Sequence, residues 1–288
     1  METMRRLLVA TGAMAALTVA GCGTTAAPSL QNAQLSAAEV IQQTAQKADD
    51  VNTYAADLVV NVTDAKGGQG GVVQGTMLYQ KTPQIASDIN LTQVAFNGQS
   101  VPGGVRVILQ GDVAFVKVDM LKTLVGATKP WIRLDLKQLG SQAGVNVDQY
   151  LAQAQQFDLK TSVAMLTASK DVKSVGSEQV GGVDTTHYSG SFPVDEAVKQ
   201  LPEDRRGRMQ GELANAKDVK FDAWIDAQGL PRKVELNGGK PDAGTFKATA
   251  MFKSFNEPVS IKAPAADQVG DLPQTLPHMT QQPSGTGS

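Results

Sequence analysis

Few residues in this chain are of types that carry chemistry. Cys22 is the sole cysteine among 288 residues, and His187 and His278 are the two histidines. A lone thiol can be alkylated or acylated, but it closes no disulfide within the chain. His278 sits in a Pro-rich tail, and His187 beside Tyr188 reads as a polar strand position. The chain contains no H-E-x-x-H, no G-x-S-x-G and no P-loop. The paired acids Asp49-Asp50 and Glu203-Asp204 fit a helix end and a first helical turn better than acid/base work. Arg205, Arg206 and Arg208 cluster on an expected helix, where Asp204 and Arg208 stand at i,i+4. A solvated face accounts for them, and contact with anionic headgroups is the second reading. These residues predict no enzyme, no metal site and no cofactor.

The setting of Cys22 is more informative. Arg5 and Arg6 supply a basic start, and Leu7 to Val19 form an uncharged run of 13 residues. A helix of that length rises about 20 Å, short of a hydrocarbon core of about 30 Å, so a cleaved signal is expected rather than a span. Val19-Ala20-Gly21-Cys22 resembles the lipobox of bacterial lipoproteins. That resemblance implies cleavage before Cys22, a thioether-linked diacylglycerol on its sulfur and a membrane anchor on the outer face of the cell membrane. Several acyl chains at about 0.8 kcal/mol per buried CH₂ hold firmly where one chain is marginal. Export by either the Sec or the twin-arginine route fits Arg5-Arg6.

Composition narrows the partners. Formal charge is −2, and becomes −3 once Glu2, Arg5 and Arg6 leave with the signal. That balance argues against a nucleic-acid surface. Aromatic residues are 5% of the chain, too few for stacking platforms. Aliphatic side chains must build the core, and the chain is long enough to bury one.

The elements follow from periodicity. Gly23 to Asn32 reads as a flexible tether. Ser36 to Glu39 is a capping box, with Ala37, Val40, Ile41, Thr44, Ala48 and Val51 at helical spacing behind it. Alternation then predicts strands over Tyr54–Val62, Val73–Tyr79, Ile85–Val94, Val105–Leu109 and Val113–Val118, with a short strand at Pro130–Arg133. Helix is expected in parts of Asp135–Phe157 and over Thr161–Ala168. A hairpin turns on Gly181-Gly182, helix returns over Pro193–Ala216, and the last third alternates again from Val219 to Lys253.

Three segments together resemble the LppX/LprA/LprF/LprG-type lipoproteins of actinobacteria, within the LolA/LolB-like superfamily. They are Val175–Gly190 around the Gly-Gly turn, the Gly229-Leu230-Pro231 hairpin within Ala223–Val234, and Glu257–Pro264. The resemblance spans roughly Ser36–Pro264. It implies an α+β fold in which a strongly curved antiparallel sheet, a half-barrel, carries helices on its concave face. It also implies an apolar cavity that takes an acylated lipid or glycolipid for transfer across the envelope. The expected organisation is a signal at 1–21, a lipidated tether at 22–35, the folded domain at 36–264 and a disordered tail at 265–288. Leu58, Val60, Met77, Ile89, Leu91, Val107, Leu109, Phe115, Phe221, Ile225, Phe246 and Phe252 are the expected cavity lining. Plain core packing is the competing reading for each. Phe246-x-Ala248-x-Ala250-x-Phe252 places two small residues between large ones, which leaves a hollow unless a helix fills it. A surface interaction or sensory lipoprotein with a solid core and an envelope protein partner is the alternative function.

Overall fold

The computed structural model describes residues 35–120, 126–138, 159–201, 217–240 and 244–271, with isolated positions from 203 to 210. Cys22, the signal and tether, most of the expected Asp135–Phe157 helix, Arg205 and Arg208 lie outside those residues.

The capping box forms as the sequence predicts. Glu39 N–H donates to Ser36 Oγ at 3.3 Å, and the Glu39 carboxylate accepts from Ser36 N–H at 2.7 Å. Helix α1 (Ala37–Asp49) then buries Ile41, Thr44 and Ala48 along one face. Its last residue is a tie rather than a simple terminus, because Asp49 accepts from Lys81 at 3.2 Å and Lys160 at 2.8 Å.

Beyond α1 the described residues form thirteen strands in one curved, open sheet. The strands are β1 (Thr53–Thr63), β2 (Gln69–Gln80), β3 (Ala86–Phe96), β4 (Gln99–Ser100), β5 (Val105–Gln110), β6 (Val113–Val118) and β7 (Trp131–Asp135). Then come β8 (Lys173–Val180), β9 (Val183–Pro193), β10 (Asp218–Asp226), β11 (Pro231–Lys240), β12 (Gly244–Phe255) and β13 (Val269–Asp271). The order across the sheet is β13-β7-β6-β5-β3-β2-β1-β12-β11-β10-β9-β8, with β4 beside β3. Every pairing is antiparallel except β13 with β7.

Local chemistry sets the turns. Asp64 Oδ1 accepts from the amides of Lys66 and Gly68 at 2.8 and 2.9 Å, which folds β1 back into β2. Gly181 and Gly182 take φ of 58° and 81° between β8 and β9, a conformation side chains resist.

Helices α2 (Leu159–Ala164) and α3 (Val194–Lys199), with a 3₁₀ turn at Met165–Ala168, join α1 on one face of the sheet. We call this face the inner one. Ile41, Val51, Leu159, Val163 and Val198 meet Tyr54, Met77, Tyr79 and Phe221 there. Each such side chain contributes about 1.5–3 kcal/mol on burial. The helix expected over Pro193–Ala216 starts after Pro193, where β9 ends, and is broken at Gln200–Leu201; beyond α3 the described positions Glu203, Arg206, Gly207 and Gln210 are helical again. Arg206 is helical and exposed. It turns back to donate to the carbonyls of Leu201 at 3.0 Å and Lys199 at 3.2 Å.

The fold continues past Pro264, where a disordered tail was expected. Ala266–Gln268 form a 3₁₀ turn and β13 adds to β7. Ile261 and Val269 cover a second apolar cluster of Ile108, Phe115 and Trp131 on the outer face. Gln110 Nε2 donates to the Ile261 carbonyl at 2.9 Å and Lys129 to that of Asp267 at 2.8 Å.

Candidate functional site

Register places the candidate residues. Paired residues share a face, and alternate residues of a strand share it too. Leu58 pairs with Gly75, Gly75 with Leu91, Leu91 with Val105 and Val105 with Val118. In the other direction Leu58 pairs with Ala250, and Ala250 with Val234. One unbroken apolar row therefore crosses seven strands of the inner face. Apart from buried Gly75, its members are only half-buried. Val60, Ile89 and Val107 flank it and are also half-buried.

The remaining expected lining divides. Met77, Phe221 and Ile225 are packed beneath the helices, with exposures of 2%, 0% and 4%. Phe252 is buried against Tyr54, ring centroids 5.6 Å apart and edge to face. Leu109 packs with Ala114, Ile85, Leu134 and Leu136. Phe246 is half-buried and lies across Gly238, where an added Cβ would come within 2.7 Å of its ring. Phe115 belongs elsewhere. It pairs with Ile108 and Arg133, and that parity puts it on the outer face under Ile261.

The inner face is thus of two kinds. Where Tyr54, Met77 and Phe221 lie, helices fill it; along the row through Leu58 and Leu91, aliphatic surface stays partly open. Val105, Val118, Ala250 and Val234 complete that row. Period-two alternation signals each of them, but pairing partners are needed to align them.

Over β10, β11, β12 and β1 the outer face is polar by contrast. Burial works against the charge of Glu235, yet hydrogen bonds from Lys233 at 2.6 Å and Lys247 at 2.8 Å hold its carboxyl below the usual range. Lys220, Asn237, Lys247 and Asn61 stand in register across β10, β11, β12 and β1. They border a shallow cleft of about 410 Å³. Arg106 grips Asp88 with two hydrogen bonds of 2.9 and 2.7 Å and lies over the Trp131 ring at 5.7 Å. Among the described residues no group of three His, Cys, Asp or Glu side chains is placed to hold a metal, and no helix is long and apolar enough to cross a membrane.

Solved structures with which the chain aligns include LppX and LprF. The Mycobacterium tuberculosis lipoprotein LppX aligns over 78% of this chain and 98% of its own, with TM-score 0.43 and 17% identity. LprF from Mycobacterium bovis aligns over 80% and 97%, with TM-score 0.48 and 13% identity. An uncharacterized 31.2 kDa protein from the rplA–rplJ intergenic region of Streptomyces griseus is 31% identical over 163 residues, 55% of this chain and 53% of that protein. A Streptomyces coelicolor protein described as a candidate lipoprotein is 27% identical over 150 residues, 51% of this chain and 44% of that one. The chain spans about half the length of these relatives. No protein-family model matches it.

Proposed function

We propose that this protein is a lipoprotein anchored through Cys22 on the outer face of the cell membrane, and that its inner sheet face holds the acyl chains of a lipid or glycolipid for transfer. The observation that carries the reading is the half-buried row from Val234 through Leu58 and Leu91 to Val118. An alkyl chain laid along it would leave water at about 25 cal/mol per Å² of apolar surface covered. The lipobox-like Val19–Cys22 and the candidate lipoprotein among the relatives support the anchor.

The helix-packed half of the same face favours a second reading, an interaction module with a solid core. Organic extraction of protein purified from envelopes, followed by mass spectrometry, separates the two. Stoichiometric acyl lipid supports the carrier; its absence, with no displacement of a fluorescent fatty acid, supports the module. Leu91→Glu places a charge in the row and should abolish lipid recovery while the protein still folds, because Leu91 is not fully buried. Intact-mass analysis of the amino terminus tests the Cys22 anchor separately.

A further inference from the structure

The half-buried row crosses β12 where that strand has an uneven profile. On its inner face β12 presents Phe246, Ala248, Ala250 and Phe252 in turn, two small side chains between two rings. Register sets larger neighbours on both sides. Ala248 lies between Val60 of β1 and Leu236 of β11, and Ala250 lies between Leu58 and Val234. The four wall residues and both alanines are half-buried, so the helices do not seal the space above them. A furrow therefore runs along β12, floored by methyl groups and walled by branched aliphatic side chains.

Its two ends differ. At one, Phe252 is buried, held edge to face by Tyr54 and stacked on Phe255 at 5.5 Å, which closes the furrow. At the other, the Phe246 ring lies over Gly238 of β11, beside Val219, rather than along its own strand. Glycine gives the ring that seat, since an added Cβ would meet it at 2.7 Å. The ring thus stands aside, and the furrow is open at this end.

Dimensions decide what fits. From Phe246 to Phe252 the strand rises about 20 Å at about 3.4 Å per residue. The β1 and β11 walls are two strand spacings apart, about 9.5 Å, and an apolar contact takes about 4 Å on each side. One alkyl chain lies between them, whereas a methyl branch crowds the wall.

We propose that this furrow seats one unbranched acyl chain, which enters past Phe246 and rests its methyl end against Phe252. The inference rests on the carrier reading and adds to it a place and a selectivity. The chain crosses the row at Ala250, and straight-chain lipids are taken in preference to methyl-branched ones.

Titration of the full chain with a fluorescent straight-chain fatty acid is the test, with unbranched and methyl-branched acids of equal length as competitors. The unbranched competitor should displace the probe at roughly tenfold lower concentration. Ala248→Leu and Ala250→Leu fill the furrow and should each weaken binding roughly tenfold or more. Thr249→Leu, on the outer face between Val59 and Glu235, should leave binding unchanged. If the inner leucine variants fold poorly, Ala248→Cys adds a thiol of nearly the same size. Saturating fatty acid should slow alkylation of that thiol roughly tenfold and leave the thiol of Thr249→Cys unprotected. Equal displacement by the two competitors, undiminished binding in the inner leucine variants, or an unprotected thiol in Ala248→Cys overturns the furrow but not the carrier. A parent chain that binds no fatty acid overturns both.

Discussion

Arg232 Nε lies 2.6 Å from Asp226 Oδ2, and the Asp226 side chain has no exposed surface. The other Asp226 oxygen accepts from the amides of Gln228 and Leu230 at 2.9 and 3.0 Å, so one carboxylate shapes the β10–β11 turn and neutralises an arginine. The guanidinium also lies over the Phe255 ring at 5.2 Å. Arg232→Leu strands that buried carboxylate and should cost about 3–5 kcal/mol in urea unfolding. Asp226→Asn added to it removes the charge but keeps the acceptor oxygen, so the double variant should be more stable than the single one.

Gly75 sits at a register shift between β2 and β3. A Cβ there would stand 2.2 Å from the Asn90 carbonyl oxygen, and backbone cannot step aside as a side-chain tip can. Gly75→Ala should therefore destabilise by about 1–3 kcal/mol. The neighbouring Leu58→Ala should cost less than the core range of about 2–5 kcal/mol, because Leu58 is only half-buried. Thermal melts of the two variants check the order.

Glu235 gives a pH prediction with a definite sign. Its folded carboxyl is held below the ordinary value of about 4.3. The lysine bonds thus stabilise the fold fully above that value, and the gain is lost as pH falls through the lowered one. Glu235→Gln should melt lower than the parent near neutrality, and the gap should close as the solution is acidified.

The segment after Glu257 belongs to the fold. Ending the chain at Pro264 removes Val269 from the Trp131 cluster and β13 from β7. The truncated protein should melt at lower temperature, and the near-ultraviolet circular dichroism of Trp131 should weaken.

Much of this architecture is legible from alternation. The α1 cap, the strand faces and the Gly-Gly turn are written in neighbouring residues, so local physics suffices. Phe115 shows the limit. Its strand Val113–Val118 is apolar at every position but Lys117, because Ile261 and Val269 cover its outer face while the inner face looks to the core. An apolar run with both sides covered carries no parity signal, so only the register reveals which side Phe115 takes. The covering segment itself reads as a Pro-rich tail, and three residues of parallel strand are too short to announce themselves. The partners of Arg206 and Asp49 lie on other turns and elements, and no local pattern names them. The His187–Glu178 contact likewise spans two strands, beyond any local pattern.

The pairing of β1 with β12 has a consequence for how the chain assembles. β1 to β7 and β8 to β12 are each an up-and-down ribbon zipped between sequence neighbours, and Val62 opposite Phe246 belongs to the one seam joining them. As the polypeptide emerges, either ribbon can complete itself, whereas the seam must wait until Phe255 is through and a very long loop has closed. Until then the β1 and β12 edges stand open, and stitching them together should be the slow, aggregation-exposed step in the making of this molecule.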